Sequence, residues 1–162
     1  MSYDDADLVG EEISLKIVQT FPVTEQNDVP SYLFAIKRNL DGAEVGGCTL
    51  RVKDDENMYY RGNVGFTVYE KFRGNYYSAK AVKLVLLQAK KHKMPYVFIT
   101  CEKGNVPSEK AIIKAGGIFL EERKVPEYTA VYKAGGRIKK YFSFRCSEDI
   151  IQACFKAGFA EK

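Results

Sequence analysis

Residues 13–21 (ISLKIVQTF) alternate apolar and polar positions, the period of two that marks a half-buried strand. Residues 20–30 follow as a loop broken by Pro22, Asn27-Asp28 and Pro30. A second strand over 32–38 and a third over 44–53 flank Asn39-Leu40-Asp41-Gly42, where Asp-Gly supplies the positive φ of a tight hairpin. Asp54-Asp55-Glu56-Asn57 reads as the next turn, and 62–69 (GNVGFTVY) as a fourth strand.

The period then changes. Over 78–91, Val82, Val85, Leu86 and Ala89 recur at the three-and-four spacing of a helix face. Leu84 and Leu87 widen that stripe, so the helix is expected to be well buried, with Lys80, Lys83 and Lys90 on its wet side. Pro95 ends it. The short apolar run 96–101 (YVFITC) reads as a central strand. A second helix is expected over 106–115, with Asn105 as N-cap, Pro107 in its first turn and Gly116 as its stop. Two strands over 118–125 and 137–145 enclose a loop containing Pro126 and Gly135-Gly136. Ser147-Glu148-Asp149 caps a last amphipathic helix carrying Ile150, Ile151, Cys154 and Phe155.

The order ββββ-α-β-α-ββ-α predicts a mixed, mostly antiparallel α/β sheet of about seven strands. A meander leads into one crossover unit, which sets strands four and five parallel through a right-handed connection. No repeat or linker divides the chain, so 162 residues read as one domain.

Composition narrows the function. Hydrophobic residues are 46% and charged residues 28%, which excludes a disordered chain. A net charge of +4 is too weak to indicate a nucleic-acid partner. No apolar run approaches the roughly 20 residues that span a bilayer. The acidic start Met1-Ser2-Tyr3-Asp4-Asp5 lacks an apolar signal core, so the expected location is the cytoplasm. Four cysteines without a CxxC pair and a single histidine, His92, argue against a zinc site, and no metal is expected. His92 lies in a lysine run that reads as a helix end, where cations suit the dipole.

The chemistry concentrates in Glu70-Lys71-Phe72-Arg73-Gly74-Asn75-Tyr76-Tyr77-Ser78-Ala79-Lys80, a short turn between a strand and a helix N-terminus. Free N–H groups and the helix dipole favour anions there, and Gly74 permits close backbone approach. Between 70 and 93 there are seven Lys/Arg and one acid. The segment is neither a Walker loop nor a GxGxxG dinucleotide turn. Lysines interleaved with Tyr76-Tyr77 also allow a base-stacking RNA surface. The apolar face of the same helix makes it a core element instead.

From 62 to 122 the chain resembles the acetyl-CoA-binding half of the GNAT acyl-CoA N-acyltransferases, in the form of a bacterial acetyltransferase subgroup. Strand four ends in Phe66-Thr67-Val68, and the turn Arg73-Gly74-Asn75-Tyr76-Tyr77-Ser78 follows. A long helix and the strand YVFITC come next. Cys101-Glu102-Lys103-Gly104-Asn105-Val106-Pro107-Ser108 then opens a helix that closes on Ala115-Gly116-Gly117. Lys139-Lys140-Tyr141-Phe142 resembles the last strand of that subgroup.

The resemblance implies an N-acetyltransferase that moves the acetyl group of acetyl-CoA directly to a primary amine, on a small molecule or a peptide. It implies main-chain hydrogen bonds from Phe66, Thr67 and Val68 to the pantetheine arm and thioester. Arg73, Gly74, Asn75, Tyr76, Tyr77 and Ser78 would cradle the diphosphate, and Asn105 with Ser108 nearby would meet the pantetheine chain. The Val68 N–H is the expected oxyanion donor. Glu102 is a candidate base, and Tyr141 a candidate acid, along with Tyr59, Tyr60 and Tyr128.

Three departures matter. Tyr76 and Ser78 occupy positions where the family turn has small residues. The family's usual acidic tyrosine, eight positions into the Asn-x-x-Ser pattern, is here Ile112, a hydrocarbon that cannot protonate a thiolate. Only about ten residues separate the first two strands, where the family places two helices. The acceptor side is therefore expected to be open, or closed by a partner subunit or the C-terminal helix. That helix leaves packing on its own sheet and homodimerisation as alternatives. The lost tyrosine also leaves room for a CoA-binding protein of the same fold without transferase activity.

Overall fold

The computed structural model describes residues 7–146. Its strands form two sheets. β1 (Leu8–Val9), β2 (Ile13–Phe21), β3 (Ser31–Arg38), β4 (Glu44–Arg51) and β5 (Val64–Val68) make an antiparallel meander in chain order. β6 (Tyr96–Glu102), β7 (Ile118–Lys124) and β8 (Ile138–Arg145) make a second antiparallel sheet, in the order β6-β8-β7. The β3–β4 hairpin turns at Gly42, whose φ of 71° fits the Asp-Gly signal.

Helix α2 (Tyr77–Lys91) packs on the five-stranded sheet, burying Ala79, Ala81, Val82, Leu84, Val85, Leu86 and Ala89. Ile13, Leu15, Phe34, Ile36, Cys48, Leu50 and Val64 meet it in one apolar cluster that extends to Val97, Ile99, Phe142 and Phe144 of the second sheet. Helix α3 (Val106–Lys114) packs beside α2 and β6. Lys80 and Lys83, expected on the wet side of α2, are buried. The Lys80 ammonium is turned to Glu12 Oε2 at 2.5 Å and to the Asn75 carbonyl at 3.2 Å, so its aliphatic stem packs while its charge is answered.

Two other expectations need correction. In place of one seven-stranded sheet, the described residues form eight strands in two sheets, and the parallel pairing of β5 with β6 is not formed among them. The edges of these strands meet at Asn63, which is 2% exposed. Its N–H donates to the Phe98 carbonyl (2.7 Å), and its side-chain oxygen accepts from the Phe98 N–H (2.8 Å). Its side-chain amide donates to the carbonyls of Arg51 (3.0 Å) and Lys53 (2.9 Å). One residue thus joins the edges, by its main chain in one direction and its side chain in the other, and beyond it the two edges run on without pairing.

The second correction concerns the connections. The 54–57 turn leads into α1 (Glu56–Arg61), capped by the Asp55 carboxylate on the Met58 N–H at 2.8 Å. The loop after β7 contains α4 (Ala130–Lys133), capped by the Thr129 hydroxyl. The expected C-terminal helix lies outside the described residues.

Asn63→Ala leaves the Phe98 N–H and the Arg51 and Lys53 carbonyls without their partner. Buried groups orphaned in this way cost about 1–3 kcal/mol each, partly relieved by water. A loss of about 2–4 kcal/mol in urea unfolding is expected, and an unchanged midpoint would discount the junction.

Candidate functional site

Past Asn63, β5 and β6 expose facing edges. The β4–β5 ladder engages odd-numbered residues of β5: the Tyr69 N–H donates to Val45 and the Asn63 carbonyl accepts from Arg51. By strict alternation, the peptide groups of Phe66 and Val68 point away from β4, into the gap before β6. The Val68 carbonyl is taken up by Arg73 Nε at 3.1 Å, which leaves its N–H aimed at the gap.

The chain leaves β5 through a short 3-10 turn (Glu70–Phe72) and enters α2. Gly74 has φ +92°, and nothing lies within 4 Å of the position a Cβ would take. Tyr76 is left-handed (φ 58°, ψ 23°), a conformation that costs a non-glycine residue about 1–2 kcal/mol. It turns the chain into α2 without any side-chain cap. The first intrahelical donor is the Lys80 N–H, to the Tyr76 carbonyl, so the amides of Tyr77, Ser78 and Ala79 are the uncapped end of the helix. The Tyr76 ring is half exposed, with the Lys114 ammonium 5.2 Å from its centroid.

A groove of about 500 Å³ joins these parts. It is lined by Phe66, Thr67 and Val68, by the turn from Phe72 to Ala79 without Asn75, and by Asn105, Ser108 and Lys110 of the facing segment. Arg73 and Lys110 bring positive charge, and no carboxylate lines it. The Asn105 side-chain oxygen caps α3 by accepting from the Ser108 N–H (3.3 Å). Its side-chain NH2 has no partner among the described residues, so one residue holds the helix and offers a donor to the groove. Asn75, absent from the lining, is turned back, its side chain donating to the Phe72 carbonyl.

The catalytic candidates fall elsewhere. Glu102 lines a second cleft of about 590 Å³, with Lys139 Nζ at 3.7 Å. One turn contributes to both clefts: the Asn105 N–H donates to the Glu102 carbonyl at 3.0 Å, with Glu102 lining the second cleft and Asn105 the groove. Tyr141 is fully buried, stacked on Tyr59 with centroids 4.8 Å apart. Its hydroxyl has no hydrogen-bond partner among the described residues, and burial pushes its pKa up to about 12. Tyr59 is likewise held up at about 12 by burial and then by the Glu121 charge. Tyr128 donates to Glu56 at 2.5 Å, which lifts it to about 12. Ile112 is fully buried in the core. His92 contacts the Tyr32 hydroxyl at 2.5 Å where α2 ends. No group of His, Cys, Asp or Glu able to hold a metal occurs among the described residues, and no helix there is long and apolar enough to cross a membrane.

The second cleft is what sequence reading missed. Its walls are α1, α4 and the 28–29 loop. A signal existed for α1: Asp55 followed by Glu56 is a capping pattern, read as a turn because the helix spans only six residues.

Comparison with known proteins agrees with this geometry. The family model for the acetyltransferase (GNAT) domain matches residues 9–118. No curated protein matches the chain. A GCN5-related N-acetyltransferase from Brucella melitensis superposes with TM-score 0.66 at 16% identity, covering 96% of this chain and 86% of that one. The ribosomal-protein-S5-alanine acetyltransferase from Vibrio fischeri gives 0.63 at 11% identity, covering 89% and 98%. The microcin C7 self-immunity acetyltransferase MccE, solved with acetyl-CoA and AMP, gives 0.55 at 14% identity, covering 71% and 61%. The matched model spans most of the chain, from β1 to the start of β7, and the chain belongs to the GNAT acetyltransferase family.

Proposed function

We propose that the chain transfers the acetyl group of acetyl-CoA to a primary amine, with the groove between β5, the turn into α2 and the start of α3 as the coenzyme site. The observation that carries this reading is the uncapped N-terminus of α2, opening onto an acid-free groove beside the free peptide edge of β5. The amides of Tyr77, Ser78 and Ala79, together with Arg73, suit a diphosphate. The edge at Phe66 and Val68 suits the amide-bearing pantetheine arm, which can add to it as a short strand would. Asn105 supplies a further donor.

In the reaction the amine nitrogen attacks the thioester carbonyl. The C–N bond forms, the C–S bond breaks, and a free N–H of the β5 edge, at Val68 or Phe66, stabilises the oxyanion between the two events. The amine proton passes to Glu102 through water, and coenzyme A leaves as a thiolate that takes its proton from solvent. No cysteine lines the groove, and burial raises the Cys101 thiol above its usual pKa, both of which favour direct transfer. Ile112 favours the alternative of a CoA-binding protein without turnover, since the family's usual acid is absent. A thiol leaving group with a pKa near 8–9 has little need of one.

Ser78→Pro deletes one amide donor at the second position of α2, a place where α3 itself carries Pro107. Calorimetry is expected to show acetyl-CoA binding weakened about tenfold or more, the worth of a charge-assisted hydrogen bond. Ser78→Ala, which keeps the N–H, should stay near wild type. Equal affinities for the two variants would remove the amide cradle.

Thiol release from acetyl-CoA with a panel of amines is the activity test. Glu102→Gln should lower kcat by roughly 10²-fold, the usual contribution of a general base, with little change in acetyl-CoA affinity. Binding without turnover on any amine would establish the non-enzymatic alternative.

A further inference from the structure

The second cleft has a charge polarity along α1. At the N-terminal end of that helix, Lys53 bridges Asp28 (2.5 Å) and Asp55 (3.2 Å). At its C-terminal end stands Arg61, exposed, lining the cleft, and with no hydrogen bond or ion pair among the described residues. Behind it lies a second guanidinium. Arg51 donates from Nη1 to the Gly62 carbonyl (3.0 Å) and lies against Gly65, with no carboxylate partner among the described residues. Burial, and next the charge of Arg61, hold Arg51 down to about 10. Two guanidiniums thus repel each other without a shared anion, an arrangement that an anionic group would relieve.

Their position gives this meaning. Arg51 and Gly62 flank Asn63, the apex at which the edges of β5 and β6 are pinned together. The diphosphate turn lies at the opposite, open end of β5. A coenzyme whose diphosphate sits at that turn, with its arm along Val68 and Phe66, carries its acyl end toward the apex. An acceptor reaching that acyl end through the second cleft passes Arg61, with Arg51 behind it against the Gly62 carbonyl.

We propose that the acceptor is a small amine that also carries a carboxylate or phosphate group, and that Arg61, with Arg51 behind it, binds that anion at the apex of the wedge. This assignment rests on the coenzyme reading above and adds the acceptor's chemical class. The remaining charges of the cleft do not compete for the site: Lys53 is held by its two aspartates, and Lys139 faces Glu102. Polycations are disfavoured by the same pair.

The test compares matched amines at fixed acetyl-CoA: phosphoethanolamine against ethanolamine, β-alanine against β-alaninamide, and spermidine as the cation. The anionic member of at least one pair is expected to exceed its neutral partner by tenfold or more in kcat/KM, and the better pair distinguishes phosphate from carboxylate. Arg61→Ala should abolish that ratio through KM, Arg61→Lys should restore part of it, and the acetyl-CoA dissociation constant of both should stay within about twofold. Thermal melting checks that the variants fold. Anionic amines no better than neutral ones, spermidine as the best acceptor, an unchanged ratio in Arg61→Ala, or no turnover on the panel while acetyl-CoA binds would each overturn the acceptor class. Failure of wild type to bind acetyl-CoA would overturn the coenzyme reading itself.

Discussion

Two sheet edges that are pinned at one end and unpaired beyond it set the geometry of everything else. Asn63 does the pinning, with all its polar groups engaged across three segments. A strand edge left open inside a protein is unstable unless another chain or ligand answers its peptide groups. Here the open edges of β5 and β6 are short and lie over a groove, so water or a bound ligand can satisfy them. The separation therefore costs the fold little, and it creates a place where an extended molecule can lie against backbone.

The turn before α2 works on the same principle from the other end. A left-handed Tyr76 replaces the small residue that the conformation favours, and the strain it stores is of the size that a well-packed helix offsets. Because α2 is buried along most of its length, its first turn is held still while its amides remain uncapped. Positive charge at the groove then comes from the backbone dipole, Arg73 and Lys110. The lysines of α2 do not line the groove, and Lys80 is committed to Glu12.

The cleft proposed for the acceptor is built by an unusual route. The nine-residue connection between β2 and β3 leaves no room for helices there, yet the cleft beside Glu102 is walled by α1 and α4, which sit in other connections. The wall is thin, and its charges are unevenly shared. Acids gather at the start of α1, where they also suit the helix dipole, and the guanidiniums gather at its end.

What the sequence determined by itself was local. Alternation placed β2 over the residues observed, Asp-Gly fixed the β3–β4 hairpin, and the apolar stripe found α2. Asn105, Pro107 and Gly116 bounded α3 because capping chemistry acts within a few residues. The groove proposed for the coenzyme was legible for the same reason, since a strand, a turn and a helix N-terminus are contiguous in the chain. Tertiary structure alone decided where β5 and β6 are joined and that they part beyond it, since the join is one asparagine reaching across to Phe98 from 35 residues away. It alone buried Tyr141, set Glu102 in a cleft beside the groove, and brought Arg51 to Arg61. Each of those outcomes is a contact between segments distant in sequence, and no periodicity or capping signal encodes such a contact.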